Sequence, residues 1–277
     1  MIINNNTFRL VGIVGNPLTQ SMSPILHNYW LNKYRINSYY VTFPLQSLVN
    51  LKSSIKAMNI IGLNITIPYK KKIIRYLDAV DKQAIKIEAV NTLINKSGKI
   101  IGYNTDIEGF GRGLTKKNKW IKNRPTFVFG SGGAAEAIVS YIYSAGSKNI
   151  TIINRTIGNA KNIARKYKGV RFSNKVNKKE FIEAGLVINT TSLGMIGYPD
   201  LNIELKGLNK NAIIYDIVYN PIETKLIKKA KQQGLNYITG LDMFIEQARK
   251  SFEIWFNINP ALDIKLLNII KREIKKK

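Results

Sequence analysis

The sequence predicts an α/β protein of two domains, and three observations support that fold class. Short apolar runs that stop at glycine or proline alternate with helical patterns, which is typical of strands and crossover helices in a largely parallel sheet. The same rhythm starts again after Arg124-Pro125 with a strand, a glycine-rich turn and a helix. The 277 residues are enough for two domains of ordinary size, and no period of roughly 20–50 residues indicates a repeat array.

The first hundred residues contain three predicted strands with helices between them. Each strand is a short apolar run that a glycine or proline ends. The strands are Phe8–Val14, Tyr39–Phe43 and Gly62–Ile67. One helix is predicted from Ser23-Pro24 to about Tyr34, with Ser23 as its N-cap and the proline in its first turn, and a second near residues 48–58.

The second half contains a further set of strands and helices. The strands are Thr126–Phe129, Asn149–Asn154, Leu186–Asn189 and Ala212–Asp216, and the helices are Ala135–Ala145 and a lysine-rich segment after Asn154. Residues 243–256 carry Phe244, Ala248, Phe252 and Trp255 at helical spacing, so this helix is expected to pack back on the first domain. We therefore expect residues 1–109 plus 243–277 in one domain and residues 110–242, with a Rossmann-like fold, in the other.

The composition excludes several kinds of site. The chain has no cysteine and a single histidine, His27, so disulfides, thiolate nucleophiles and clusters of imidazoles around a metal are excluded. We expect no metal, and we assign His27 a structural place early in a helix in preference to a catalytic one. No apolar stretch approaches the roughly 18 residues of a membrane span. The N-terminal residues lack the pattern of a signal peptide, and a cytoplasmic protein is expected.

The net charge of +26 has two explanations. A strongly basic chain is drawn to nucleic acid or to an anionic membrane. The lysines are spread over the whole length beside abundant Asn and Ile, however, and these three residues share AT-rich codons. Only residues 271–277 form a concentrated basic run, which is typical of a solvated tail. We therefore favour compositional drift, with neither nucleic acid nor membrane as a partner.

A glycine-rich loop follows the strand Thr126–Phe129 and opens the next helix. Glycines there let backbone N–H groups at a helix N-terminus approach a pyrophosphate. The loop Gly130–Ala134 is tighter than the usual G-x-G-x-x-G, and by itself a structural turn would explain it nearly as well. The next strand ends at Asn154-Arg155-Thr156, where an NAD-binding fold carries an acid, and an arginine there pairs with a 2′-phosphate. The sequence therefore favours NADP over NAD and predicts hydride transfer.

Hydride transfer to a ketone leaves an alkoxide, so a proton donor has to stand beside the carbonyl. With His27 set aside, the candidates are Lys70, just past the strand Gly62–Ile67, and Asp106, in the turn of residues 102–106. A lysine beside an aspartate provides a donor and a partner that orients it. The alternative for Lys70 is an ordinary surface lysine, because Lys71 and Lys72 follow it.

Nine segments, taken together, resemble the shikimate dehydrogenase family of aromatic amino-acid biosynthesis. They follow one another in the family's order and cover nearly the whole chain. The segments are Gly15-Asn-Pro-Leu-Thr-Gln-Ser-Met-Ser-Pro-Ile-Leu-His-Asn28, Gly62-Leu-Asn-Ile-Thr-Ile-Pro-Tyr-Lys70, Ala89-Val-Asn-Thr92, Gly102-Tyr-Asn-Thr-Asp106, Gly130-Ser-Gly-Gly-Ala134, Asn154-Arg-Thr156, Asn189-Thr-Thr-Ser-Leu-Gly-Met195, Tyr215-Asp-Ile-Val-Tyr-Asn-Pro221 and Gly240-Leu-Asp-Met-Phe-Ile-Glu-Gln247.

The resemblance implies reversible, NADPH-dependent reduction of 3-dehydroshikimate to shikimate. It implies that Ser21 and Ser23, helped by Tyr219, hold the substrate carboxylate, and that Lys70 is the acid/base, paired with Asp106. The residues implied at the ring hydroxyls are Thr66, Asn91, Asp106 and Gln247, with Asn64 close by. The residues implied at the cofactor are Gly130, Ser131, Gly132, Gly133 and Ala134 for the pyrophosphate, Asn154, Arg155 and Thr156 for the 2′-phosphate, and Ile217 and Gly240 near the nicotinamide.

Four positions depart from the family's pattern. Gln20 replaces a histidine, Glu88 a glycine and Glu136 an arginine. Asn159 is assigned to the cofactor too, but it stands where the family has a second basic contact to the 2′-phosphate, which weakens a strict preference for NADP. None of the four removes a residue of the expected chemistry.

Simpler roles compete with several assignments: Ser23 as a helix cap, Asn64 and Asn91 as turn residues, and Gln247 as a solvated side chain. Two other functions compete with the one implied. One is a quinate/shikimate dehydrogenase with relaxed cofactor choice, which would be expected to carry an acid near Asn154. The other is a non-catalytic protein that binds NADP or nucleic acid, and its support is the net charge. The oligomeric state stays open, a homodimer included.

Overall fold

The computed structural model describes residues 8–117 and 123–276 and divides into two compact units. One unit contains the described residues up to Thr105 together with those from Gln247 onward, and the other is Asp106–Glu246. The N-terminal residues 1–7, where the sequence indicates no signal peptide, lie outside the described part of the chain, as does Lys277 of the basic C-terminal run.

Twelve strands and ten α-helices are formed by the described residues. The strands are β1 Arg9–Val14, β2 Ser38–Phe43, β3 Ile60–Ile65, β4 Ala79–Val80, β5 Thr92–Lys96, β6 Lys99–Tyr103, β7 Thr126–Phe129, β8 Ile150–Ile153, β9 Arg171–Ser173, β10 Leu186–Asn189, β11 Ile213–Asp216 and β12 Asn236–Ile238. The helices are α1 Ser23–Lys33, α2 Leu51–Ala57, α3 Lys82–Lys86, α4 Asp106–Lys117, α5 Gly133–Ser144, α6 Ile157–Arg165, α7 Lys178–Phe181, α8 Lys225–Gln232, α9 Gly240–Phe256 and α10 Ile264–Lys276, with a 3-10 helix at Lys72–Tyr76.

The first unit is built on a six-stranded sheet in the order β2-β1-β3-β5-β6-β4. Strands β2 and β3 pair with β1 in parallel, whereas β5 pairs antiparallel with both β3 and β6. Since β4 is parallel to β6, β5 is the strand that runs against the other five among the described residues. The expectation of a mainly parallel sheet is confirmed, although the reversed strand was not foreseen.

Helix α9 packs on this first sheet through its C-terminal half, as its apolar stripe predicts. Trp255 donates its indole N–H to the Leu93 carbonyl at 2.8 Å, and it lies so close to β3 that a Cβ on Gly62 would fall 2.1 Å from the Trp255 nitrogen. The stripe residues Ala248, Phe252 and Trp255 are buried. A segment near the C-terminus thus completes the core of the unit that the N-terminus begins.

The second unit is a doubly wound sheet of six parallel strands in the order β12-β11-β10-β7-β8-β9. Strands β7, β8, β10 and β11 are buried along their whole length, as the continuous apolar runs predict for a parallel sheet covered on both faces. The strand order turns back between β7 and β10. In such sheets this switch point is where ligands bind, at the carboxyl ends of the strands.

Two local predictions are wrong. Ser23 is not the N-cap of α1: Met22 holds that place with no side-chain cap, and Ser23 is the first helical residue, its N–H donating to Ser21 Oγ at 3.3 Å. Asp106 does not lie in a turn but begins α4, because β6 continues to Tyr103 and only residues 104 and 105 separate it from the helix. A carboxylate at a helix N-terminus is favoured by the helix dipole.

Candidate active site

The reversed strand β5 determines which residues meet at the carboxyl edge of the first sheet. Strands β1 and β3 end there, but β5 begins there, so the residue before it, Asn91, joins that edge. The Asn91 carbonyl accepts the Ile65 N–H at 2.8 Å, and the Thr66 N–H donates to the Val14 carbonyl at 2.9 Å. Thr66 and Asn91 are thereby fixed at the ends of neighbouring strands.

The loop after β1 lies directly against the loop after β3. A Cβ on Gly15 would fall 2.3 Å from Thr66 Cγ2, so only glycine allows this approach. The Asn16 N–H donates to the Ile67 carbonyl at 3.0 Å. The first loop then leads to Ser21, which is half-buried, and to Ser23, which is buried.

Lys70 is half-buried at the end of the loop after β3. Its carbonyl accepts the Val90 N–H at 2.8 Å, and the Tyr69 N–H closes the turn on the Thr66 carbonyl at 2.9 Å. This backbone pairing connects the lysine to the segment that carries Asn91. The structure therefore brings Thr66, Lys70 and Asn91 to one edge of the sheet.

The orientation of the Asn91 side chain is determined by its neighbours. Its Oδ1 accepts the Thr105 N–H at 2.7 Å and the Thr92 hydroxyl at 3.1 Å, while its Nδ2 donates to Thr105 Oγ1 at 3.0 Å. A backbone N–H can only donate, so the oxygen must face Thr105 N. The hydrogen that Asn91 can offer to a ligand is therefore an amide N–H.

Asn64 lies behind Asn91, with its side chain engaged within the protein. Its Oδ1 accepts the Tyr40 hydroxyl at 2.8 Å. Its Nδ2 lies 2.9 Å from Ser251 Oγ on α9, 3.2 Å from Thr92 Oγ1 and 3.3 Å from the Asn91 carbonyl. With 6% of its surface exposed, Asn64 supports the Asn91 segment from the interior.

The other expected substrate residues are distributed over both units. Gln247 is half-buried on α9, and its carbonyl accepts the Ser251 hydroxyl at 3.1 Å. In the second unit Asp106 is buried at the start of α4, and Tyr219 stacks on Phe244 with ring centroids 4.4 Å apart.

The second unit has an open groove at the carboxyl ends of β7, β8 and β10, at the switch point of its sheet. The residues that line it are Gly130, Ser131, Gly132, Asn154, Arg155, Thr156, Asn159, Thr190, Thr191 and Ser192. Seven of these are residues that the sequence assigns to the cofactor. The other three, Thr190 to Ser192, form a wall that sequence reasoning did not assign to the site, although they belong to one of the family-like segments.

The glycine loop has the shape that a pyrophosphate needs. Gly130 has a φ of +110°, and a Cβ on it would fall 2.5 Å from Thr190 Oγ1, so no other residue fits there. At Gly132 a Cβ would meet nothing within 4 Å, so it would occupy open space in the groove. Gly132 is also the N-cap of α5 and provides no side-chain cap. The free N–H groups of the first helical turn suit an anionic diphosphate.

The Arg155 end of the groove suits a phosphate monoester. Arg155, Thr156 and Asn159 are exposed, and Asn154 Nδ2 donates to the Thr156 carbonyl at 2.7 Å, which shapes the turn into α6. Thr156 is the N-cap of α6 and makes no side-chain cap. A guanidinium beside an uncapped helix N-terminus is a strong combination for an anion.

The structure also shows what surrounds Ile217 and Gly240, the two other predicted cofactor positions, and Glu136, which departs from the family pattern. A Cβ on Gly240 would fall 2.3 Å from the Ile217 carbonyl, so these two residues meet backbone to backbone. Glu136 is fully buried on α5 and receives Lys166 Nζ at 2.5 Å. Its negative charge is thus paired inside the unit, where it does not line the groove.

Two of the buried ionisable side chains, His27 and Asp216, have pKa values that burial shifts far from the ordinary ones. Burial lowers the pKa of His27 to about 3, and its ring stacks on Tyr40 with centroids 4.4 Å apart. A neutral, fully buried imidazole is structural, as the sequence indicates. In the second unit, burial raises the pKa of Asp216 to about 6, and hydrogen bonds from Thr224, Val218 and Asn189 oppose this shift.

Among the described residues no cluster could hold a metal ion and no helix is long and apolar enough to span a membrane.

Three family models match successive parts of the chain. Residues 13–93 match the family model of the shikimate dehydrogenase substrate-binding domain, residues 114–196 that of shikimate/quinate 5-dehydrogenase, and residues 240–264 that of the shikimate 5′-dehydrogenase C-terminal domain. A curated relative, shikimate dehydrogenase (NADP(+)) of Pelagibacter ubique, is 36% identical over 260 residues, which are 93% of this chain and 97% of the relative.

Two solved structures show the same similarity in three dimensions. The crystal structure of shikimate dehydrogenase from Aquifex aeolicus has a TM-score of 0.87 and 31% identity over 97% of this chain and 99% of its own. Shikimate 5-dehydrogenase from Thermus thermophilus, in complex with NADP(H) and shikimate, has a TM-score of 0.84 and 28% identity over 97% of this chain and 100% of its own. The chain belongs to the shikimate dehydrogenase family.

Proposed function

We propose that the protein is an NADP-dependent shikimate dehydrogenase, which reversibly reduces 3-dehydroshikimate to shikimate in aromatic amino-acid biosynthesis. The observation that carries the proposal is the carboxyl edge of the first sheet, where Thr66, Lys70 and Asn91 converge. A small hydroxylated acid requires several short polar side chains and one proton donor, and that edge provides them. Membership of the family supports the same reaction.

We propose the first unit as the substrate-binding domain and the second as the NADP-binding domain. The groove residues fit the cofactor: Gly130 to Ala134 would hold the pyrophosphate, and Asn154, Arg155, Thr156 and Asn159 the 2′-phosphate. Ile217 and Gly240 would lie near the nicotinamide. When bound, the cofactor supplies or accepts the hydride; the protein holds it and positions the substrate.

For the substrate, the proposed roles follow the chemistry of each side chain. Ser21 and Ser23 would bind the carboxylate with Tyr219, and Thr66, Asn91, Asp106 and Gln247 the ring hydroxyls. Asn91 would act as a donor, since its oxygen is engaged by Thr105 N. Asn64, whose own polar atoms are occupied, would act by holding the Asn91 segment.

Lys70 is the proposed acid/base, with Asp106 as its partner. In the reducing direction the Lys70 ammonium gives its proton to the oxygen that the hydride transfer leaves as an alkoxide. In the oxidising direction the neutral amine takes the proton from the hydroxyl. A group that changes protonation state in this way has to be reachable from the substrate, and Lys70 is half-buried at the sheet edge.

Steady-state rates with shikimate or quinate, each with NADP or NAD, test the proposal. We expect turnover of shikimate with NADP and much weaker use of quinate. A quinate/shikimate dehydrogenase is the second candidate, because the family model over residues 114–196 includes both substrates. Comparable turnover of quinate with NAD would support it in place of the first.

We further propose a cytoplasmic location, because a chain without cysteine suits a reducing compartment. For the assembly, a homodimer is the alternative to a monomer. Sedimentation at equilibrium separates the two, since a homodimer has twice the chain mass of 31.4 kDa.

A further inference from the structure

Asp216 is a buried carboxylate for which the proposed reaction has no use. It ends β11, is fully buried, and accepts three hydrogen bonds. Its Oδ1 accepts Asn189 Nδ2 at 2.9 Å and the Val218 N–H at 3.0 Å, and its Oδ2 accepts the Thr224 hydroxyl at 2.7 Å. Burial disfavours a charge on this carboxyl group, yet three donors are arranged around it, and this arrangement indicates a positional role.

Asn189 connects this carboxylate to the groove of the second unit. Its Nδ2 donates to Asp216 and to the Leu193 carbonyl, both at 2.9 Å. Its Oδ1 accepts the Thr191 N–H at 3.0 Å and the Thr191 hydroxyl at 2.7 Å. All four contacts agree on one orientation of the amide. Asn189 is fully buried, so its side chain acts only through what it holds.

Through Thr191, Asn189 holds the wall of the cofactor groove, while the neighbouring Thr190 is bonded to the Phe129 carbonyl. Thr190, Thr191 and Ser192 line the groove opposite the glycine loop. The wall fits closely against that loop, since a Cβ on Gly130 would fall 2.5 Å from Thr190 Oγ1 and 3.0 Å from Thr191 Cγ2. A small displacement of the wall therefore changes the width of the site where the pyrophosphate would lie.

The same carboxylate also fixes the segment after β11. Val218 N donates to Asp216, and Ile217 N donates to the Asn189 carbonyl at 3.1 Å. Ile217 is the residue proposed near the nicotinamide. Thr224, the third donor, is the N-cap of α8, so that helix is aligned by the same group. The buried Asp216 carboxylate thus fixes the loop after β10, the segment after β11 and the start of α8.

We propose that Asp216 and Asn189 are positioning residues that set the geometry of the cofactor groove by holding the wall at Thr190 to Ser192. The proposal rests on the proposed function, because the groove is taken to bind NADP. Neither side chain touches the cofactor; both act through the loops they hold. Their effect is therefore on cofactor affinity, with the Michaelis constant for shikimate left nearly unchanged.

Two substitutions of Asp216 separate the effect of its hydrogen bonds from the effect of its charge. In an Asp216→Asn variant, the amide oxygen can keep both Oδ1 contacts while the amide nitrogen donates to Thr224 Oγ1. That hydroxyl loses its acceptor but still receives the Ile227 N–H. The conservative variant therefore preserves the anchor without the charge, whereas Asp216→Ala removes the anchor.

The test is the dissociation constant of NADP, measured by calorimetry on the full chain. We expect Asp216→Ala and Asn189→Ala each to weaken binding about tenfold, which is 1.4 kcal/mol. We expect Asp216→Asn to stay within about threefold of the unaltered protein. The double alanine variant should bind about as weakly as the weaker single one, because both side chains hold the same wall. Leu186→Ala, a buried change at the other end of β10, controls for general destabilisation and should leave the constant unchanged.

Three outcomes would overturn the inference: unchanged affinity in both alanine variants, additive losses in the double variant, or an equal loss in Leu186→Ala. If Asp216→Ala does not fold, the contrast between Asn189→Ala and Asp216→Asn decides the question by itself. Failure of the proposed function looks different, since the unaltered protein would then not bind NADP at all.

Discussion

Lys70 is half-buried at the sheet edge, whereas Lys71 and Lys72 beside it are exposed. We predict that Lys70→Ala abolishes turnover but keeps shikimate binding within about tenfold, because a proton donor contributes to the transition state more than to the bound substrate. Turnover and equilibrium binding, measured on the same preparation, check this. Lys72→Ala is the matched control and should leave both unchanged. Loss of binding with a normal rate in the bound state would assign Lys70 to recognition.

Arg155 is exposed in the groove beside an uncapped helix N-terminus. Arg155→Asp should raise the Michaelis constant for NADP sharply and the constant for NAD much less, because a carboxylate repels the 2′-phosphate that only NADP carries. Arg165→Asp, an equal charge change at the far end of α6, is the control for the net charge of the protein. An unaltered NADP constant in Arg155→Asp would mean that other groups hold the 2′-phosphate.

Glu88 occupies a backbone conformation that suits glycine. Its φ is +50°, and the family pattern has glycine at this position. We predict that Glu88→Gly stabilises the protein by about 1 kcal/mol, because a side chain in the left-handed region costs about that much. Urea unfolding measures the change. Glu88→Ala removes the same side-chain contacts but keeps the strain, so it should not stabilise, and a gain equal to that of the glycine variant would contradict the explanation.

Single residues also show where sequence reasoning reaches its limit. Thr66 and Lys70 could be located because the predicted strand Gly62–Ile67 ends at them, and Asn91 because it lies in a family-like segment. Asn64 lies in the same kind of segment, yet its side chain is used internally by Tyr40 and Ser251. Those partners are far away in the sequence, so no local pattern could have shown that its polar atoms are occupied.

Among the elements, the strands of the second sheet were predictable and the hairpin β5–β6 of the first was not. Strands β7, β8, β10 and β11 are short, continuous apolar runs, which are typical of a parallel sheet that is buried on both faces. The hairpin has mixed sequence and turns at Ser97 and Gly98, both with positive φ. Its direction depends on pairing with β3, which is a long-range contact.

The packing of α9 on β3 leads to a prediction about one glycine. Gly62→Ala should destabilise the protein by about 1–3 kcal/mol, because its Cβ would fall 2.1 Å from the Trp255 nitrogen and push that ring off the Leu93 carbonyl. Urea unfolding is again the measurement. Gly158→Ala, on α6 where a Cβ meets nothing within 4 Å, is the control and should be neutral or slightly stabilising. Equal stability of the two variants would show that Trp255 adjusts without cost.

At the scale of the whole molecule, buried ionisable groups determine how stability depends on pH. The folded pKa of His27 is about 3, below its ordinary value of 6.5, so between these values the unfolded chain binds the extra proton. The contribution of the neutral His27 to the free energy of unfolding is therefore complete above pH 6.5 and is lost as the pH falls toward 3. Asp216 works in the opposite direction: its folded pKa of about 6 exceeds the ordinary 3.8, so its contribution rises as the pH falls through that window.

We predict that the net result is a loss of stability between pH 6.5 and pH 3, because over this whole range the pKa shift of His27 is larger than that of Asp216 and the protein already carries a charge of +26. His27→Phe should flatten this profile, since the chain contains no other histidine. Urea midpoints at several pH values provide the measurement, and Asp216→Asn should steepen the same profile. An unchanged slope in His27→Phe would show that the imidazole is not the group responsible.

The discontinuous first unit has a consequence for the order of events during synthesis. The chain leaves the ribosome from its N-terminus, so Asp106–Glu246 is complete before Ser251 and Trp255 have been made. Until then the Asn64 amide lacks its Ser251 partner, and the Leu93 carbonyl lacks the Trp255 indole. The unit that begins first is thus finished last, and all residues of the second unit are available for folding while the first sheet still lacks the helix that packs on it.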